Sequence, residues 1–132
     1  MEEIVQKIDS IRMAASRDYL NDALREELSS STRLKCAWEA MYFCCVEYFA
    51  SKGGCIDNLE HPDASVVEQL LQALPLSAGE RTLVEALFRW PSYLQPLLPE
   101  PCSPEEACGL AEYVNSQTAA LLAATKERRS ES

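Results

Sequence analysis

At 132 residues, 47% apolar and 25% charged, the chain has the size and composition of one globular domain and not those of a disordered segment. Its 21 acidic against 12 basic residues leave a net charge of −9, which excludes a surface built to grip phosphate backbones and is repelled by anionic membranes. The longest uninterrupted apolar run, Ala40 to Val46, is seven residues, whereas a membrane-spanning helix needs about 20.

The first segment, Glu2 to about Leu28, reads as one long helix or two short ones. Ile4, Ile8, Ile11, Ala15 and Tyr19 recur at steps of three and four and draw an apolar stripe on a helix. The stripe then drifts to Leu20, Ala23 or Leu24, and Leu28. Either a bend near Ser16 or continuous curvature accounts for the drift. Ser29-Ser30-Ser31-Thr32 breaks this segment and offers N-cap oxygens to the next.

The second helix, roughly Thr32 to Ser51, is the clearest element. Leu34, Ala37, Trp38, Met41, Cys45 and Tyr48 mark one face, and Cys36, Ala40, Phe43, Val46, Phe49 and Ala50 fill most of the rest. A helix apolar nearly all round must be covered on several sides, so it is the centre of the core or lines an oligomer interface. Between residues 36 and 50 only Glu39 and Glu47 are charged, and they read as its single wet edge. Gly53-Gly54 supplies the left-handed stop.

A third helix follows from about Asp63 to Leu74, with Val66, Val67, Leu70, Leu71 and Leu74 inward and Ser65-x-x-Glu68 as its capping box; Pro75 stops it. Ser77-Ala78-Gly79-Glu80 opens a fourth that carries Leu83, Val84, Leu87, Phe88 and Trp90 and ends at Pro91. Residues 92–102, with Pro96, Pro99 and Pro101, cannot form a regular helix. Their Tyr93, Leu94, Leu97 and Leu98 are apolar enough to lie against the body. Ser103-Pro104-Glu105-Glu106 caps the last helix, which is expected to run to about Thr125 with Ala107, Leu110, Ala111, Val114, Leu121 and Leu122 facing in. Residues 126–132 read as a flexible charged tail on a single domain spanning 1–125. The sum is an all-α, antiparallel, up-and-down bundle of about five helices or a close relative of one.

Nothing in the pattern carries catalysis. The lone His61 sits beside Pro62, six positions after Cys55. A Cys–His couple there lacks a third orienting group, so the expectation is no enzyme and no catalytic residue. The six cysteines, at 36, 44, 45, 55, 102 and 108, form no Cys-x-x-Cys pair and have one histidine among them, so no zinc spacing exists. Cys36, Cys44 and Cys45 read as reduced core thiols, and Cys55 and Cys102 as loop thiols open to reagents. Glu39 and Glu47 lack the Glu-x-x-His partners of a di-metal bundle, and no Gly-rich phosphate loop is present. No cofactor and no metal are expected. With a start at Glu2-Glu3 in place of a basic and then apolar leader, the expected location is the cytoplasm.

The Ser31-Thr32-Arg33-Leu34 start of an Ala- and aromatic-rich helix, the Gly53-Gly54 stop and the His61 loop come in a fixed order. The Leu74-Pro75-Leu76 turn, a short helix ending at Arg89 and a capped, Glu-rich final helix follow. Over residues 10 to 125 this order resembles small bacterial helical proteins related to the HEPN superfamily. The resemblance implies an antiparallel helical bundle, often dimeric, whose active members cleave RNA with an Arg-x(4–6)-His motif. Here Arg89 is the candidate arginine, but Leu94, Gln95 and Pro96 stand where the histidine belongs. A non-catalytic member is implied, acting through protein–protein interaction in a regulatory or antitoxin-like role. The alternative is a degenerate nuclease or nucleotide-binding protein with a pocket at Arg89 and Tyr93. The expected partner is protein, either a second copy in a homodimer or a basic protein. Neither nucleic acid nor a membrane is expected to bind. The candidate interface comprises Trp38, Tyr42, Phe43 and Phe49, with Leu94, Leu97 and Leu98 as a second patch.

Overall fold

The computed structural model describes the backbone of residues 2–57, 59, 62–90 and 99–131, and the side chains of these residues from 11 to 125. Its elements are five α-helices, α1 (Glu2–Ala23), α2 (Ser30–Ser51), α3 (Ala64–Ala73), α4 (Ala78–Arg89) and α5 (Pro104–Glu131), and no strand occurs among the described residues. The all-α bundle expected from the sequence is the fold. α1 is one uninterrupted helix, so the drift of its apolar positions is taken up without a break at Ser16.

Local chemistry sets most helix ends. The Ser29 side chain accepts from the Thr32 N–H to start α2, and Ser77 with Glu80 closes a reciprocal capping box at α4. Ser103 and Glu106 do the same at α5, with Pro104 as its first helical residue. Each such cap contributes about 1 kcal/mol. At α3 the expectation fails in detail. The cap is Asp63, which accepts from the Ser65 and Val66 N–H groups, because an ionised carboxylate is the stronger acceptor for helix N–H groups. Glu68 turns away to Arg81 of α4, 3.2 Å distant. α2 ends where the Gly53 N–H bonds to the Ala50 carbonyl and the Gly54 N–H to that of Phe49. Gly53 supplies the positive φ of 85° that this motif requires. A Cβ on Gly54 would overlap the Phe49 ring.

The final helix continues to Glu131, past the end expected near Thr125. Lys126-Glu127-Arg128-Arg129 contains only good helix formers and nothing that breaks the backbone pattern.

α2 touches all four other helices and sits at the centre of the core, as its nearly all-round apolar surface requires. Leu34, Ala37, Trp38, Ala40, Met41, Tyr42, Cys44 and Cys45 are all buried. Against α1, the contacts run in reverse order along the two helices: Ala23 meets Arg33, Ser16 meets Ala40, and Arg12 meets Glu47. Against α5 they advance together, Arg33 with Glu105 and Cys44 with Asn115. α2 and α5 therefore run in the same sense, so a strict up-and-down order does not describe this pair. The intervening α3 and α4 make the crossover that a parallel pair demands. They also close the far side of α2: the Asp63 N–H donates to the Tyr42 hydroxyl at 2.7 Å, and Phe88 meets the Trp38 ring edge-on at 5.6 Å.

Candidate functional site

α1 packs on the core with the later part of its apolar pattern, Leu20 and Ala23, and with Ser16, which that pattern did not mark. Ser16, Leu20 and Ala23 are fully buried and Met13 packs against the core. Ile11, in contrast, is 65% exposed and Tyr19 37% exposed. The stripe drawn by the isoleucines thus points outward where its side chains are described. The physical reason lies across the bundle, where a polar seam needs the polar side of α1.

That seam begins at Glu47, the residue taken for a wet edge of α2. Glu47 is instead 0% exposed, and its carboxylate lies 3.2 Å from the Arg12 guanidinium. One helical turn away, the Ser16 hydroxyl donates to the Ala40 carbonyl at 2.7 Å and meets the Cys44 sulfur at 3.4 Å. From α5, the Asn115 amide donates to Ser16 at 2.9 Å, and Thr118 is fully buried one turn further on. Three helices are keyed together by these groups. A second tie lies nearer the other end of α1, where the Ala23 carbonyl accepts from Arg33 of α2 at 2.8 Å and from the Cys108 thiol of α5 at 3.2 Å. The Arg33 charge also stands at the negative end of α1, where a cation is favoured.

The seam superficially resembles a nucleophile beside hydroxyl and amide groups, yet its electrostatics oppose catalysis. Burial pushes the Cys44 thiol up, and the polar groups of Ser16, Thr118 and Asn115 around it only partly counter it. A protonated, enclosed sulfur is no nucleophile. Cys45 is likewise pushed up by burial and then by its neighbour Cys44.

Thiol chemistry follows the same logic across the chain. All six cysteines are free, and Cys55 is the one exposed. Cys102, expected to be an open loop thiol, is half-buried, and burial followed by Glu106 and Glu100 pushes it up to about 11. A thiol reagent should therefore modify Cys55 quickly, Cys36 and Cys102 slowly, and Cys44, Cys45 and Cys108 only on unfolding. Equal rates at Cys55 and Cys45 would contradict this burial pattern. The folded state also holds the protons of Cys36, Cys44, Cys45, Cys102 and Cys108 to higher pH than a free thiol of pKa about 9. Stability contributed by these groups is complete below pH 9 and falls as pH rises above it. Melting temperatures taken from pH 8 to 10.5 should decline beyond pH 9, and replacing Cys45 by Ala should shallow that decline.

Of the candidate interface, Trp38 and Tyr42 are withdrawn from the surface. They are 8% and 4% exposed, covered by Phe88 and by the start of α3. Phe43 and Phe49 are half-buried. Phe43 stacks on Tyr19 with ring centres 5.6 Å apart, which joins the outer strip of α2 to the exposed edge of α1. Cys36, Val46 and Ala50, also half-buried, extend that strip. Ile11 and Tyr19 were missed because an apolar stripe is by default the face a helix turns to its core.

Arg89 lines an open cleft of about 140 Å³ between α3 and α4, together with Val67, Leu71, Phe88, Glu68 and Glu85. Two carboxylates beside one guanidinium leave no excess positive charge for a phosphate. Tyr93, Leu94, Leu97, Leu98 and His61 lie outside the described residues. Among the described residues, no group of three or more His, Cys, Asp or Glu is arranged to hold a metal ion. Among the described residues, no helix is long and apolar enough to cross a membrane. No family model, curated protein or solved structure matches the chain.

Proposed function

We propose that this chain is a protein-binding helical module without chemistry of its own, docking through the outward face of α1 and α2. One observation carries the reading. α1 turns its polar side, Arg12 and Ser16, into the bundle and leaves Ile11 and Tyr19 in solvent. Of the four large apolar side chains exposed among the described residues, three (Ile11, Tyr19 and Leu24) belong to α1 or the residue that follows it. Contiguous exposed apolar surface marks an interaction site, and Tyr19 stacked on Phe43 at 5.6 Å joins α1 to α2 in one such surface.

A module of this kind acts by occupying a surface of another chain, which fits a regulatory or antitoxin-like role. Six free cysteines suit a reducing compartment, and the cytoplasm is the setting proposed. Affinity-tagged protein should retain bound chains, further copies of itself included, that an Ile11→Glu/Tyr19→Glu variant of unchanged circular dichroism loses. A variant that keeps the same set of bound chains would sink the reading.

A further inference from the structure

We infer that α1 is a strap that lifts from the bundle by local unfolding while α2 to α5 stay folded, and that this motion uncovers the Cys44 and Cys108 thiols but not Cys45. The motion is independent of what docks on α1.

The way α1 is held argues for it first. Along residues 11–23 the contacts into the bundle are largely polar. Arg12 pairs with Glu47, Ser16 bonds to the Ala40 carbonyl and the Asn115 amide, and the Ala23 carbonyl accepts from Arg33 and Cys108. In that stretch Leu20 and Ala23 are the buried apolar side chains, whereas the ten residues of α3 bury Val66, Val67, Leu70 and Leu71. The two kinds of contact differ in what separation costs. Polar groups that part on opening are hydrated again, so the net contribution of each is small, while apolar side chains recover nothing from water. Ile11, Tyr19 and Leu24 are already exposed with the strap in place, so their release adds little apolar surface to solvent. An element with few buried apolar contacts opens at a lower free energy than the whole domain unfolds.

The position of the thiols argues for it next. The Cys44 sulfur lies 3.4 Å from the Ser16 hydroxyl of α1, and the Cys108 thiol donates to the Ala23 carbonyl at 3.2 Å. Both are covered by the strap itself. Cys45 follows Cys44 in the chain but points about 100° further round α2. It shares a face with Tyr42, three residues earlier, whose hydroxyl accepts from the Asp63 N–H at the start of α3. Lifting α1 thus opens one side of Cys44, with Asn115 of α5 still beside it at 4.0 Å, and leaves its neighbour closed. The unfolding that exposes Cys44 and Cys108 is local; the one that exposes Cys45 is global.

Thiol labelling of the full chain under native conditions tests the inference. A small alkylating reagent is applied over a range of urea below the unfolding transition. The modified positions are assigned by fragmentation, and each rate is divided by that of the same cysteine in the unfolded chain. Cys44 and Cys108 are expected to react at least about 10-fold faster than Cys45 without urea, a ratio equivalent to one tenfold step in opening equilibrium. Their rates should change little with urea, because lifting one helix exposes little surface, whereas that of Cys45 should climb steeply with the surface exposed by global unfolding. Amide hydrogen exchange supplies a second measurement free of the thiols, with the α1 amides exchanging faster and with weaker urea dependence than those of α2. Equal rates and equal urea dependence at Cys44 and Cys45, or α1 amides as protected as those of α2, overturn the inference.

Discussion

Replacing Arg12 by Ala is expected to destabilise the fold by about 3 kcal/mol, a lowering of the melting temperature of about 10 °C for a chain of this length. The cost comes from Glu47, not from lost attraction alone. Its side chain is 1% exposed and that of Arg12 19%, so removal of the guanidinium takes a near cation from a carboxylate buried in the bundle. Desolvating a carboxylate costs several kcal/mol, and only a near partner returns that energy. The same argument predicts the rescue. Glu47→Met combined with Arg12→Met removes both charges and restores volume, and the double variant should recover most of the loss. Urea unfolding at pH 7 measures both. A loss under about 0.5 kcal/mol for Arg12→Ala, or a double variant worse than the single one, would show that the pair is not held as described.

The second large effect separates the two faces of α1. Leu20 is 0% exposed and Ile11 65% exposed. Leu20→Ala should cost about 3 kcal/mol, the lost transfer energy of the side chain plus that of the cavity left beside α2. Ile11→Ala should alter unfolding of the monomer by no more than about 0.5 kcal/mol. Thermal or urea unfolding at dilutions below self-association gives both values. The reverse order would return the isoleucine stripe to the core and remove the docking face with it.

This contrast also locates what could be read in advance. The extent of α2 and the caps at Ser29, Ser77 and Ser103 follow from neighbours within a few positions, since a cap needs only residues three apart and a glycine stop only its own φ. The start of α3 near Asp63 was legible, but its capping box was misassigned for a local reason. Both Asp63 and Ser65 can cap, and their order of strength decided it, with Arg81 drawing Glu68 away. The seam was out of reach. Ser16 and Asn115 are 99 positions apart, and neither stands out until α1 and α5 are laid on α2. Glu47 looked exposed because a lone carboxylate is costly to bury; its cation comes from 35 positions upstream.

Composition and local pattern were enough to determine an all-helical chain centred on residues 34–50, with termini set by serine, proline and glycine chemistry. Which side of α1 meets that centre was decided only in the tertiary structure. A stripe of Ile and Tyr and a stripe of Arg, Ser, Leu and Ala compete for one surface, and the choice depends on the polar groups already waiting there. Glu47, the Ala40 carbonyl and Asn115 supply partners for Arg12 and Ser16, so the polar side goes in and Ile11 is left facing water.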